Sequence, residues 1–309
     1  MSELQQVVER GQFVITSEIG PPKGVDCSHA LEEAATYFKG RAHAVNVTDN
    51  QSSVMRLGSM VVCHLLADRG LEPVFQMTCR DRNRLALQSD LLSAAALGIE
   101  NVLALTGDHN RLGDHPGSMP VFDLDSITLL QAIGDLENGR DLSGAELEGD
   151  PPKFFPGAVV NPGAEPFEPE LIKAEKKVAC GARFFQTQGV FEPERFVAVM
   201  EQLRPLGVPV LAGIILLKSA GMAKYMNANV AGVSVPDHLI KRMADAGAAD
   251  KAAKAEGKKG GHAVATSIEI AGELISALKP HCQGVHIMPL GWDKHVPPVL
   301  DAAGLNGGG

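Results

Sequence analysis

The sequence predicts an α/β protein folded as a single-domain (β/α)8 barrel of the TIM-barrel type, and three observations lead there. Eight short apolar runs recur along the chain, amphipathic segments separate them, and 309 residues suit a barrel that needs roughly 250 plus insertions. The runs are Phe13–Ser17, Ala42–Val47, Pro73–Met77, Val102–Leu105, Phe155–Val160, Arg183–Gln186, Val208–Ile214 and Gly284–Met288. Each is short enough for a strand, and most are rich in residues that fit a buried pleated surface.

The intervening segments read as helices. After the second run, Leu57, Val61 and Leu65 follow Val54 at helical spacing, which predicts one stripe buried against the sheet. After the third, Leu85, Leu91, Leu92 and Ala95 form a helical pattern that Gly98 closes. Pro169 and Gly181 frame a helix over Glu170–Cys180, with proline first and glycine last. Glu192-Pro193 opens another.

Two insertions interrupt this rhythm. Residues 108–124, DHNRLGDHPGSMPVFDL, follow the fourth strand and predict a long loop on the active face. Residues 244–262 are Ala, Lys and Gly in low-complexity order, and their lysines alternate with acids and small residues, so they predict a solvated helix end or mobile loop. The terminal Gly307–Gly309 is expected to fray.

Composition excludes several classes. A net charge of −9, from 28 basic and 37 acidic residues, argues against nucleic acid or an anionic membrane as partner. The five cysteines, Cys27, Cys63, Cys79, Cys180 and Cys282, lie far apart without metal-ligand spacing and read as reduced thiols. The polar N-terminus has no signal-peptide core and no run approaches membrane-spanning length, so a cytoplasmic protein is expected.

The chemistry-bearing residues sit at strand ends, where α/β enzymes keep their sites. Leu105-Thr106-Gly107-Asp108 puts a carboxylate just past the fourth strand. Ser17-Glu18-Ile19-Gly20-Pro21-Pro22 puts another at the first, where a partly buried Glu would titrate high and act as a general acid; a solvated loop acid is the plainer alternative. Thr48 offers a hydroxyl that donates and accepts, Gln76 and Thr78 share one side of their strand, and the Gln188 amide suits a pterin or purine edge. Arg80 and Arg82 could meet a phosphate, although salt bridges with Asp81 at a helix start are the simpler role. His109, Asp114 and His115 invite a metal reading, that of a metal-dependent barrel lyase or hydrolase, but lack the HExxH spacing. No GxGxxG leads from a strand into a helix, and neither a P-loop nor a GxSxG elbow occurs.

Taken in order, SEIGPP, VNVTDN, QMTCRDRN, NVLALTGD, VFDLDSITLL, VVNPGAEP, KKVACGARFFQTQ and VAGVSVPDHLI resemble the methylenetetrahydrofolate reductase family from about Phe13 to Leu300. The resemblance implies a flavin-dependent barrel that reduces 5,10-methylenetetrahydrofolate to 5-methyltetrahydrofolate in one-carbon metabolism, without the C-terminal regulatory domain of eukaryotic members. It makes Glu18 the general acid that opens the imidazolidine ring, Asp108 the charge beside flavin and pterin, and Gln188 the amide holding the substrate. It places the flavin, FAD ahead of FMN, against Thr48, Gln76, Thr106, Gly107, Asp108, Phe122, Asp123, Asn161, Glu170, Lys173 and Lys177, and implies no metal. Relatives carry His at the position of Gln76, Arg at that of Thr106, and commonly Arg at that of Trp292, where Lys294 could supply the charge. These departures leave two electron sources, NAD(P)H or a protein partner, the latter making the chain a flavin-bearing subunit of a larger complex. A homo- or hetero-oligomer is expected in either case.

Overall fold

The structure, a computed structural model, describes residues 1–305, so the Gly307–Gly309 expectation lies outside the described residues. All eight predicted runs are strands: β1 Val14–Ile19, β2 Ala44–Val47, β3 Pro73–Thr78, β4 Asn101–Leu105, β5 Phe155–Val160, β6 Phe184–Gly189, β7 Val210–Ile215 and β8 Gly284–Met288. They pair in parallel in chain order and β8 closes on β1, with Thr16 opposite His286, which makes the predicted (β/α)8 barrel. The helices in order are α1 Glu3–Glu9, α2 Ser28–Tyr37, α3 Ser59–Ala67, α4 Arg84–Ala96, α5 Ser126–Glu137, α6 Glu168–Ala179, α7 Pro193–Leu203, α8 Ala220–Asn229, α9 Asp237–Ala255, α10 His262–Leu278 and α11 Val296–Ala302. Among the described residues no helix is long and apolar enough to cross a membrane.

Two predicted stripes are shifted. α3 starts only at Ser59 and buries Val62, Cys63 and Leu66, leaving Val61 half-exposed, while Val54 and Leu57 belong to the preceding loop. α4 buries Leu87, Leu91 and Ala94 and exposes Leu85 and Leu92. Both helices carry apolar residues on several faces, so the 3.6-residue period fits more than one register, and packing on the barrel selects the face. In the second insertion α9 continues to Ala255 and packs along α10, where Arg242 forks onto Glu273 at 2.5 and 3.0 Å, so residues 244–255 are a helix end.

The strands' two-residue period sorts the barrel interior into layers. At the N-terminal end Val14, Ala44, Val74, Leu103, Phe155, Phe184 and Leu211 form an apolar plug, sealed from below by Leu4 and Val7 of α1. Phe155 and Phe184 stack at 5.3 Å, and Gly157 leaves the space that the Phe184 ring fills. Two residues further along the strands the interior turns polar, with Thr16, Asn46, Gln186 and His286 all buried. One more step reaches Glu18, Thr48, Thr78 and Gln188 at the mouth.

Candidate active site

Glu18 ends a buried polar ladder that spans the barrel. Asn46 and Gln186 exchange both amide hydrogen bonds, at 2.8 and 3.1 Å, which fixes the Gln186 amide so that its Nε2 also donates to Thr16 Oγ1 at 3.3 Å. The Thr16 hydroxyl, thus an acceptor, has its own proton free for His286 Nδ1 at 2.9 Å, the nearer of its two acceptors. With Nδ1 accepting, a neutral imidazole carries its proton on Nε2, which faces Glu18 Oε2 at 3.6 Å. Only 7% of Glu18 is exposed, and it lines a cavity of about 500 Å³ with Thr48, Arg56, His29, Glu33 and Asp293.

A second cavity of about 330 Å³ lies beside the first at the mouth, and Gln51 lines both. Asp108, Thr106 and Gly107 from the β4 loop, Gln76 and Thr78 from β3, and Gln188 from β6 border it. No hydrogen bond or ion pair engages the Asp108 carboxylate among the described residues, so it offers the mouth a free negative charge. Gly107 adopts φ +91°, and a Cβ there would come within 3.1 Å of Thr78, so the chain needs glycine to turn so close to β3.

The floor of this cavity is held by paired charges. Asp49, buried, accepts from Thr78 N and Oγ1, both at 2.9 Å, and from the Arg82 guanidinium at 2.7 and 3.1 Å. Arg80, 2% exposed, forks onto Asp81 at 2.9 and 2.6 Å and donates to the carbonyls of Asn50 and Asp108. The expected Arg80–Asp81 bridge therefore forms, while Arg82 turns instead to Asp49 at 2.7 Å and to Asp90 of α4 at 3.0 Å.

The flavin set implied by resemblance divides in two. Thr48, Gln76, Thr106, Gly107 and Asp108 surround the adjoining cavities, together with Gln188, and suit a flat heterocycle with hydrogen-bonding edges. The other six lie outside these linings. Asp123 is held down to about 2 by its hydrogen bonds to Arg84, and Phe122, at φ 42°, tilts against His109. Asn161 and Glu170 hold each other's loop, with Asn161 N donating to Glu170 Oε1 at 3.0 Å, and Lys173 stands exposed beside Glu170 at 3.7 Å. Lys177 is buried and donates to Val159 O at 2.6 Å; burial holds its ammonium below the usual lysine range. The residues present thus fit a ring at the mouth, and the phosphate-side group does not converge into a cradle.

In the 108–124 loop, Asp114 pairs with Lys23 and with His115 at 2.8 Å, and accepts from Met55 N at 3.0 Å. His109 caps the short turn at Asn110–Leu112. Sequence reading passed over Thr16, Asn46, Gln186, His286 and Asp293. The alternation of polar residues inside otherwise apolar strands was the signal for the first four; Asp293, in an irregular turn, had none. Burial, with Glu33 and Glu18 adding to it and Lys218 opposing, pushes the Asp293 carboxyl up to about 6.

A sequence model described as methylenetetrahydrofolate reductase matches residues 3–304. Methylenetetrahydrofolate reductase 2 of Schizosaccharomyces pombe is 26% identical over 249 residues, covering 74% of this chain and 35% of that protein. The 5,10-methylenetetrahydrofolate reductase of Pectobacterium carotovorum subsp. carotovorum is 26% identical over 212 residues, covering 68% and 64% respectively. The chain therefore spans about a third of the yeast relative and under two thirds of the bacterial one. A solved Clostridium thermocellum protein, described as uncharacterized and binding two copies of 5-methyl-5,6,7,8-tetrahydrofolic acid, shares the fold at a TM-score of 0.63, with 14% identity over 97% of both chains.

Proposed function

This chain belongs to the methylenetetrahydrofolate reductase family, and from that premise we propose that it reduces 5,10-methylenetetrahydrofolate to 5-methyltetrahydrofolate at the barrel mouth. The observation that carries the reading is Glu18, buried at the end of a hydrogen-bonded ladder and opening onto a cavity beside the one that holds Asp108 and Gln188.

Glu18 gives its proton to the substrate's N10, the N10–methylene bond breaks with its electron pair kept by N10, and an iminium cation forms at N5. The carboxylate left on Glu18 faces His286 Nε2–H, whose orientation the Thr16–Gln186–Asn46 ladder enforces. Asp108 stabilises the cation by its unpaired charge, and Gln188 aligns the pterin. Thr48, Gln76, Thr106 and Gly107 would hold the ring of a flavin, which would supply hydride chemistry for the iminium carbon, with NAD(P)H or an electron-donating partner as its source of electrons.

Absorbance of the purified protein, chromatography of any released flavin, and assays of Glu18→Gln test this together. The expected results are a flavin spectrum, FAD or FMN by chromatography, and a variant that loses folate reduction while its cofactor is still reduced by an artificial donor. Folate reduction that survives in Glu18→Gln overturns the proton assignment. A colourless protein that reduces the folate with NADH or NADPH removes the flavin and assigns the hydride to the nicotinamide itself, and a yellow protein that works only with a dye donor assigns the electrons to a protein partner.

A further inference from the structure

Asp293 follows β8 in a sharp turn. Leu290 adopts φ 53° and Gly291 φ 83°, and Trp292 N closes back on Pro289 O at 3.0 Å, which carries the next residue over the barrel end. A leucine in the left-handed region is costly and persists only where the surroundings enforce it. The turn delivers the Asp293 carboxyl to the wall of the cavity that Glu18 lines, with 6% of the residue exposed. No other residue among those described donates a hydrogen bond to it. Within the chain the carboxyl is met only by its own backbone N–H, and it keeps accepting capacity toward the cavity that it lines.

The cavity's charges indicate what kind. Glu18 from β1, Glu33 from α2 and Asp26 from the loop before α2 face it with Asp293, against His29 of α2 and Arg56 of the β2 loop at the rim, while Lys218 of the β7 loop stands close enough to oppose the acids and spends its ammonium on Leu290 O. His295 and Lys294 lie on Asp293's own turn. An anion is disfavoured in the depth of such a pocket and an N–H donor is favoured.

We propose that Asp293 is a further substrate-contacting carboxyl group beside Glu18 and Asp108, accepting a hydrogen bond from the aromatic amine that forms when Glu18 protonates the substrate. The proposal rests on the reading of Glu18 as the proton donor. In the closed imidazolidine N10 carries no hydrogen; when the proton leaves Glu18 Oε and the N10–carbon bond breaks, N10 becomes an N–H. Asp293 gains its partner only then, so the contact favours the opened state over the ground state and acts on kcat more than on KM.

The test compares wild type, Asp293→Asn and Glu18→Gln in methylenetetrahydrofolate reduction with an artificial donor, together with binding of 5-methyltetrahydrofolate, which bears the N10–H, at pH 5 and pH 8. Asp293→Asn is expected to lower kcat about tenfold with KM changed less than about twofold, to leave donor oxidation unaltered, and to remove a rise in kcat centred near pH 6 that wild type shows. Wild type is expected to bind the methyl product more tightly at pH 8 than at pH 5, a measurement that stands even if the variant fails to fold. Wild-type-like kcat with the pH step retained, or product affinity in wild type that does not rise with pH, overturns the role of Asp293. If Glu18→Gln is also fully active, the reading of the reaction itself falls; if it alone is inactive, only the role of Asp293 does.

Discussion

A carboxyl group buried with little more than its own backbone N–H as donor destabilises the fold when it is ionised, and Asp293 makes that cost measurable. Its folded value of about 6 lies above the ordinary 3.8, so the folded state holds the proton more tightly than the unfolded chain. Its contribution to stability is therefore intact below about pH 4 and is lost as pH rises through 6. A shift of about two units corresponds to roughly 2–3 kcal/mol at most. Asp293→Asn, neutral throughout, should melt several degrees above wild type at pH 8 and close to it at pH 4; equal differences at both pH values would mean that packing, not charge, accounts for the change. At this scale the sequence was uneven. Glu18 and Asp108 stand out as candidates because each interrupts or follows an apolar strand; His286 interrupts one too, but its partner Thr16 appears only when β8 meets β1.

Loops and helices differ in how much they disclosed. The 108–124 loop was evident from its Gly, Pro and Asp content, but not what holds it. From the β4 loop Asp114 reaches the β1 loop through Lys23 and the β2 loop through Met55 N, pairs with its neighbour His115, and has its carboxyl kept well below the usual range, by Lys23 first and His115 second. Gly113 lies so close to Ser53 that a Cβ would overlap the Ser53 carbonyl, in a segment where Asn50, Ser52 and Ser53 all have positive φ. Gly113→Ala is thus expected to push this strap off the mouth. Limited proteolysis should cut within 108–118 faster than in wild type and KM for folate should rise severalfold, with the melting temperature nearly unchanged because the barrel does not depend on the strap. Equal protection of the loop would show that neighbouring backbone absorbs the methyl group. The misread stripes of α3 and α4 have the opposite origin: periodicity alone could not choose between registers that tertiary packing separates.

Across the whole molecule, the architecture was legible because eight runs, their spacing and the chain length all point to one closed sheet. The gradient inside it was not, since an apolar base, a polar middle and an acidic mouth appear only after eight strands are brought into register. The base is closely packed. A Cβ on Gly157 would run into the Phe184 ring, itself stacked on Phe155. Gly157→Ala should therefore destabilise the protein by about 2 kcal/mol or more, read as a lower midpoint in urea with an unchanged slope; an unchanged midpoint would show that the two phenylalanine rings can separate freely.

Thr16 and His286 are partners across 270 positions of the chain. Glu18 on β1 is therefore made long before the imidazole on β8 that faces it, and the loop that must close is among the longest the fold contains. Any partly folded species with β8 undocked therefore holds Glu18 without the imidazole that faces it, and this end of the barrel takes its final geometry only when the ring is sealed.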